Sequence, residues 1–503
     1  MLNRLLACAA LLLFALPLHA QTAFVADAFT PEAALAQEEA AWAMVPAILA
    51  RIQEPTIPDR DCVVTDFGAT ADSTDADDRP GLLAARDACV AQGGGRVVLP
   101  PGDYLSNGPF HFESNIALHL EEGATLRFGT NPEDYTPLVL TRWEGTFLYN
   151  YSPLIYARDK QNVAITGKGI IDGQTQGTWS TWHSGNDGKN QRAEGNQMRL
   201  RQLGEDQAPV EQRIFGNGVL DLNGDGVNEG DGQNYYLRPS LVQFVSSQNV
   251  LVEGVTLKNS PFWTSHFVLC ESVIVRNATI RHGTKNDDGI DPDGSRYVLI
   301  EGNDIHTDDD AIAIKAGRDA DGRANPSTEY VVIRNNRLRS SVGGAMTIGS
   351  EMSGGVQWVF IEDNVAENSN GHGFYIKSNM DRGGFVRHVY LRDLDVLAAS
   401  DGFIVTSDYH GYRGGQFPAD VHDIFLRDVR VWGSRDVSLR LLGQEAAPVR
   451  RIFLKDVIFR NAATMPVFRF ADGLVAQGVN INNALWTPTT LENNYDTVAP
   501  PNY

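Results

Sequence analysis

Two clusters of carboxylates lie within residues 286–317, NDDGIDPDGSRYVLIEGNDIHTDDDAIAIKAG. Carboxylates held this close repel one another, which raises their pKa values and costs stability unless cations or chemistry compensate. The segment therefore allows three interpretations: a solvated acidic loop, a calcium site, or a pair or triad of acid–base catalysts. The apolar run 297–300 between the clusters is β-type sequence that would hold both in fixed positions, which a solvated loop leaves unexplained.

A recurring strand pattern would position these carboxylates. It reads NVLVEGVTLKNS from 249, SVIVRNATIRHG from 272, YVLIEGNDIHTD from 297 and YVVIRNNRLRSS from 330, and it continues to RIFLKDVIFRNA from 451. The steps from 250 onward range from 23 to 35 residues and show no helical period, which indicates a solenoid. We predict an all-β fold, a right-handed parallel β-helix. The alternative, a β-propeller, needs four strands in each ~40–50 residues.

The repeat predicts how the catalytic carboxylates meet. Equivalent residues on consecutive coils of a β-helix lie about 4.8 Å apart. Asp288 ends one repeat, and Asp309 and Asp310 occupy the corresponding point of the next. We therefore expect all three on one face of adjacent coils. Because neighbouring strand residues point to opposite faces, Asp309 and Asp310 must lie in a turn or bulge if both face the cleft.

Positive side chains follow on later coils, and they define the expected partner. Lys315, Arg318, Lys377 and Arg382 succeed the carboxylates along the chain. The net charge of −21 excludes a general nucleic-acid or anionic-membrane binder, which would need a basic surface. A local group of cations still attracts an anionic substrate within a Debye length of about 8 Å. We expect a monomer that hydrolyses an extended anionic polymer.

The chain divides into four predicted regions. Residues 1–20 read as a signal peptide, with Arg4 before an apolar run, and indicate a secreted or periplasmic protein. Residues 21–58 form an N-terminal helical segment, which we expect to cap one end of the solenoid. Residues 59–480 form the catalytic β-helix, interrupted by an insertion at 173–234, and residues 481–503 form a C-terminal tail. A second break at 400–420 indicates another loop at the cleft.

Cysteine usage agrees with export. After removal of the signal peptide the chain keeps Cys62, Cys89 and Cys270. Cys62 and Cys89 are the closer pair for a disulfide, which would leave Cys270 unpaired.

The insertion contains the first half of a calcium-loop pattern. Asp221, Asn223 and Asp225 supply oxygen ligands at positions 1, 3 and 5, and Gly226 follows at position 6. Position 12 is Gly232 in place of a bidentate glutamate. A structural calcium ion and a solvated turn both remain open, and we expect catalysis to require no cofactor.

Four motifs resemble glycoside hydrolase family 28, the polygalacturonases and related pectin hydrolases. They are NDDGID at 286–291, DDDAIAIKAG at 308–317, GGAMTIGSEMSGG at 343–355 and FYIKSNMDRGG at 374–384. The resemblance implies a pectic polysaccharide substrate that contains galacturonate.

The same resemblance implies residue roles. Asp309 would protonate the departing glycosidic oxygen, while Asp288 and Asp310 would hold and deprotonate the attacking water. Lys377 would bind a uronate carboxylate. The outcome would be inversion, with the acid about 6.5–9.5 Å from the base.

Two positions depart from the family pattern. Gly343-Gly344 stands where the family has a histidine, and Tyr375 stands where it has an arginine. Tyrosine cannot reproduce a bidentate arginine–carboxylate contact. The departures resemble rhamnogalacturonan hydrolases, whose leaving sugar is neutral, whereas EMSGG at 351–355 resembles bacterial exo-acting polygalacturonases. His372 is a substitute for the missing histidine or a turn residue.

The expected substrate contacts besides Lys377 are Tyr375, Lys315, Asn286, His372 and Arg382. Trp263, Trp179 and Trp182 either stack on sugar rings or are buried in the core. Two other functions remain open: a calcium-dependent lyase similar to pectate lyases, and a non-catalytic carbohydrate-binding β-helix.

Overall fold

The computed structural model describes residues 29–73, 76–185, 188–193, 195–368 and 370–488. The predicted signal peptide and most of the predicted C-terminal tail lie outside these residues. Within the described ranges, no helix has the length and apolar character needed to cross a membrane.

The chain forms a right-handed parallel β-helix, as predicted. Strands from successive coils pair in parallel and build two long sheets, the large sheet and the groove sheet. The large sheet contains Asp61–Val63, Gly95–Leu99, Gly102–Ser106, Ile116–Leu120, Ala124–Phe128, Gln161–Gly167, Ile170–Asp172, Gln248–Glu253, Thr256–Lys258, Glu271–Arg276, Thr279–Arg281, Arg296–Glu301, Asp304–Thr307, Thr328–Arg334, Arg337–Ser340, Val356–Glu362, Val365–Glu367, Phe385–Ala398, Asp420–Val431, Val449–Lys455, Ile458–Phe459, Ala471–Gln477, Asn480–Ile481 and Ala484–Leu485.

The groove sheet carries the site described below. Its strands are Phe110–His111, Ile155–Arg158, Val242–Val245, Ser265–Val268, Ile290–Asp293, Ile312–Ile314, Gly344–Gly349, His372–Lys377, Phe403–Thr406, Leu439–Leu442 and Val467–Arg469. Two small pairs complete the strands: the hairpin Val139–Trp143 with Thr146–Asn150, and Ser434–Val437 with Ala462–Thr464.

Alternating apolar residues build the core. Val250, Val273, Val298 and Val331 stand in register on four successive coils, and each is fully buried. Burial of one such side chain contributes about 1.5–3 kcal/mol. Because a single coil cannot bury this face alone, its stability comes from the coils above and below.

Asparagines align the turns between coils. The Asn303 amide donates to Asn336 at 2.9 Å, and the Asn336 amide donates to Asn364 at 2.9 Å. Asn335, next to the ladder, adopts the left-handed conformation at φ 57°. The ladder fixes the stacking of the coils that carry the carboxylates.

The α-helices are Pro31–Trp42, Val45–Leu49, Arg79–Val90, Thr178–Ser184, Gln197–Glu205 and Asp319–Arg323, and the 3₁₀ helices are Val64–Phe67, Pro132–Tyr135 and Val210–Gln212. The expectation that the N-terminal helices cap one end is wrong. They pack along the outer face of the large sheet, where Trp42 lies 5.3 Å from Phe360. The end is covered instead by helix Arg79–Val90, which buries Leu82 and Ala85 against the first coils.

A disulfide fastens this capping helix. Cys62 on the first strand is bonded to Cys89 near the end of the helix, with the two Cα atoms 6.0 Å apart. Cys270 is buried and free. The predicted pairing is therefore confirmed.

Replacement of both bonded cysteines in a Cys62→Ser/Cys89→Ser variant should lower the free energy of unfolding by about 2–4 kcal/mol, because the bond restricts the unfolded chain. Urea denaturation followed by circular dichroism measures this change. Treatment of the wild type with a reductant should cause a similar loss. An unchanged urea midpoint in both experiments would contradict a stabilising role.

Candidate active site

Coil register and one bend bring three carboxylates together. The Gly289 amide donates to the Asp310 carbonyl at 2.9 Å, which places Asp288 beside Asp310 on the next coil. Asp309 and Asp310 lie in a bend between strands Asp304–Thr307 and Ile312–Ile314. Carboxylate oxygens of Asp288, Asp309 and Asp310 lie within 4.8 Å of one another. A bend, not a flat strand, therefore joins the second and third carboxylates.

Asp287 holds this bend in shape. One of its oxygens accepts the backbone N–H groups of Asp308 at 2.8 Å and Asp309 at 3.0 Å, and the other accepts the Gly283 N–H at 2.7 Å. Sequence reasoning assigned Asp287 no role. The available signal was its position, directly before Asp288 and one coil below the second cluster.

Asp310 is an ionised carboxylate enclosed by donors. One oxygen accepts the Gly344 N–H at 2.7 Å and the Thr347 hydroxyl at 2.8 Å, and the other accepts the Lys377 ammonium at 2.7 Å. Burial opposes ionisation, but Lys377, Lys315 and the Gly344 N–H together lower the pKa of Asp310. A buried charge paired in this way stays ionised at neutral pH.

The same contacts explain one departure from the family pattern. A Cβ on Gly343 would lie 2.5 Å from the Asp310 nitrogen, and one on Gly344 would lie 2.2 Å from the Thr347 hydroxyl oxygen. A histidine at Gly343 would require the backbone of Asp309 and Asp310 to move, and one at Gly344 would displace the Thr347 hydroxyl that donates to Asp310. The two glycines therefore let the backbone itself donate to Asp310.

Asp309 and Asp288 hold their protons more strongly than Asp310 does. Burial raises the pKa of Asp309, and the charge of Asp310 raises it further, against the opposing effect of Lys377. The Asn286 amide donates to Asp309 at 3.2 Å. Burial raises the pKa of Asp288 well above its usual range, although the Lys315 ammonium lies 3.2 Å away. The cluster thus combines one ionised carboxylate with two that hold protons readily.

A cavity of about 410 Å³ opens onto the cluster. It is lined by Glu144, Gln191, Arg192, Gln197, Arg201, Trp263, Asn286, Asp288, Asp309, Lys315, Arg318, Ser350, Glu351, Lys377, Tyr409, His410 and Gly411. Five residues expected at the site, Asn286, Asp288, Asp309, Lys315 and Lys377, are therefore brought together. Trp263 also lies at the cavity, with the Lys315 ammonium 4.5 Å from its ring centroid.

Four predicted residues do not line this cavity. Asp310 is fully buried behind Asp309, as described above. Tyr375 and His372 are each 3% exposed, and their rings are in contact at 4.5 Å. Arg382 is engaged by Asp319 at 2.6 Å and by the Ser350 carbonyl at 2.7 Å. His372, Tyr375 and Arg382 do not line this cavity, and their contact with substrate stays a prediction.

Several lining residues were missed by sequence reasoning. Glu144 comes from the hairpin, and Gln191, Arg192, Gln197 and Arg201 come from the insertion. These segments lie outside the repeat, so the coil register gave no information about their position. Tyr409 and His410 belong to the predicted second break, which does reach the cleft. Trp179 and Trp182 are buried in the core and do not face the cavity.

Two acidic groups have oxygens close enough together to hold a metal ion. At the cluster of Asp288, Asp309 and Asp310, the ammonium groups of Lys315 and Lys377 already compensate the carboxylates, which disfavours a cation there. In the insertion, oxygens of Asp221, Asp225 and Glu229 lie within 4.8 Å of one another. Backbone N–H groups, that of Gly226 first, lower the pKa of Asp221. This loop would offer calcium Glu229 as a ligand, whereas the predicted ligand Asn223 bonds to Asp225.

Comparison with known proteins defines the class. The sequence profile described as glycosyl hydrolases family 28 matches residues 207–467. The crystal structure of a hyperthermoactive exopolygalacturonase from Thermotoga maritima superimposes with a TM-score of 0.80 at 37% identity, covering 88% of this chain and 96% of that one. The chain therefore belongs to glycosyl hydrolase family 28 and is a glycosidase.

Two curated relatives agree with this assignment. A probable polygalacturonase of Vitis vinifera is 28% identical over 74% of this chain and 68% of its own length. An exo-poly-alpha-D-galacturonosidase of Dickeya chrysanthemi is 27% identical over 74% of this chain, and the match spans 62% of that enzyme's length.

The Asp310→Asn substitution should lower the pKa of Asp309, because it removes the nearest negative charge and leaves the Lys377 ammonium unpaired. The matched Lys377→Met substitution removes a positive charge and should raise it. Infrared difference spectra against Asp309→Asn follow the protonated carboxyl of Asp309 through a pH titration. Shifts in the same direction for both variants would contradict this electrostatic account.

Proposed function

We propose that this glycosidase hydrolyses the backbone of a pectic polysaccharide that contains galacturonate. The names of the relatives, polygalacturonase and exo-poly-alpha-D-galacturonosidase, support this substrate. The observation that most supports this substrate is the number of cations that line the cavity. In a chain of net charge −21, this pocket is lined by five cations, Arg192, Arg201, Lys315, Arg318 and Lys377, against four carboxyl groups, Glu144, Asp288, Asp309 and Glu351, and burial raises the pKa values of Asp288 and Asp309. Such a pocket attracts a uronate.

The proposed chemistry uses the three carboxylates in different protonation states. Asp309, at the cavity wall, donates its proton to the glycosidic oxygen as the C1–O bond breaks. Asp288, also at the wall, holds the water whose oxygen bonds to C1, and the ionised Asp310 accepts the proton that this water releases. Asp310 holds the charge that keeps Asp309 protonated. The predicted water contact of Asp310 requires that Lys377 leave it, which a uronate carboxylate binding Lys377 would bring about.

Asp309→Asn should reduce kcat on polygalacturonate by about 10²–10⁴-fold, because an amide cannot supply the proton. The assay is reducing-end release from polygalacturonate and from rhamnogalacturonan, followed by product analysis. We expect the wild type to prefer polygalacturonate and to be unaffected by a chelator. Full activity of Asp309→Asn would contradict the acid assignment.

The same assay separates the remaining functions. Preference for rhamnogalacturonan would replace the proposed substrate with one whose leaving sugar is neutral. Formation of products that absorb in the ultraviolet, with loss of activity on chelation, would identify a lyase. Binding of either polymer without cleavage would identify a carbohydrate-binding β-helix.

The stereochemical outcome is proposed to be inversion. The cluster is tighter than expected, since its nearest oxygens lie within 4.8 Å in place of the predicted spacing of about 6.5–9.5 Å. One water still fits between two carboxylates, because two hydrogen bonds of about 2.8 Å span up to ~5.6 Å.

Proton NMR of the first turnovers should therefore show the β anomer of the new reducing end released from an α-linked galacturonan. Mutarotation then produces the α anomer more slowly. Initial release of the α anomer would show retention and would assign the attack to a carboxylate.

A further inference from the structure

The tip of the hairpin Val139–Trp143/Thr146–Asn150 forms one wall of the active-site cavity. Glu144, at the turn, has φ 40° and lies at the cavity surface. One of its oxygens accepts the Arg201 guanidinium at 2.6 Å and the Arg318 guanidinium at 2.6 Å. The Arg201 and Arg318 charges lower the pKa of Glu144 despite its burial. Glu144 therefore joins the insertion helix to a loop of the groove sheet.

Further contacts make this wall rigid. The Arg318 N–H donates to the Gly145 carbonyl at 3.1 Å, and a Cβ at Gly145 would lie 2.8 Å from the Arg318 nitrogen. Arg318 also lies 3.3 Å from Glu351. Behind the wall, Trp143 stacks on Phe262 at 5.0 Å. Hairpin, insertion and groove loop thus support one another through buried contacts.

A second ion pair ties the hairpin to the same loop. Arg213 donates to Asp321 at 3.0 Å and to the Phe147 carbonyl at 3.2 Å. On the insertion helix, Glu205 accepts the Ala320 N–H at 3.0 Å. A wall fixed at this many points does not open by rotation of one side chain.

We propose that Glu144 is a specificity-determining residue that restricts the enzyme to chain ends. The inference rests on the proposed hydrolysis of a pectic backbone. A polymer that continued past the cavity on this side would have to displace the ion pairs of Glu144. A chain end meets the wall and stops, so cleavage removes short fragments. The closure is built from segments outside the β-helix repeat.

The test compares the wild type with Glu144→Ala, which disconnects both guanidinium groups from the hairpin, and Arg201→Ala, which disconnects only the insertion helix. Gln202→Ala is the matched control, since Gln202 is an exposed residue on the same helix and does not line the cavity. Viscosity loss and fragment size are followed against the number of bonds cleaved, on whichever pectic backbone the wild type hydrolyses. Thermal unfolding establishes that each variant folds.

The wild type and Gln202→Ala should release short uronides from the start, with little loss of viscosity. Glu144→Ala should release longer fragments early and lose viscosity several-fold faster per bond cleaved, with Arg201→Ala between them. Internal cleavage by the wild type, or unchanged fragment sizes in both wall variants, would overturn the proposal while leaving hydrolysis itself established. A folded but inactive Glu144→Ala would also overturn it, since Glu144 would then take part in the reaction.

Discussion

The ion pair between Lys377 and Asp310 is the interaction on which the site depends. Three carboxylates within 4.8 Å of one another repel strongly unless cations compensate them. Lys377 lies 2.7 Å from Asp310 and Lys315 lies 3.2 Å from Asp288, so each ammonium group compensates the negative charge of one carboxylate. Loss of one partner of a buried pair costs about 3–5 kcal/mol. Asp309 has no ion pair among the described residues, and burial together with the charge of Asp310 raises its pKa.

The β-helix provides this arrangement through stacking. Equivalent residues of neighbouring coils are held at the spacing of paired strands, so a carboxylate on one coil and a lysine on another meet without a dedicated loop. The Asn303–Asn336–Asn364 ladder fixes the turns, and Asp287 fixes the bend. Gly343 and Gly344 allow the next coil to approach Asp310 closely. The departure from the family pattern at Gly343 and Gly344 therefore serves the charge balance of the cluster.

The features that could be predicted from the sequence are those that depend on the strand repeat. The strand repeat predicted the β-helix and the proximity of Asp288 to Asp309 and Asp310. It also predicted that Lys315 and Lys377 lie near them, because residues one repeat apart in the sequence stack on neighbouring coils. It missed the capping helix Arg79–Val90, the wall at Glu144 and the covered position of Asp310. These features depend on the long-range packing of segments that lie outside the repeat, and the strand pattern contains no information about that packing. His372, Tyr375 and Arg382 were found at the correct coils, but burial behind the wall cannot be deduced from spacing.

Neutron diffraction from deuterium-exchanged crystals at mildly acidic pH tests the central claim most directly, because it locates the protons of the cluster. The account predicts a deuteron on the carboxyl of Asp309, none on Asp310, and three on the Lys377 ammonium, one of them directed toward Asp310. A deuteron on Asp310 with none on Asp309 would contradict the assignment of the acid and the role of the ion pair.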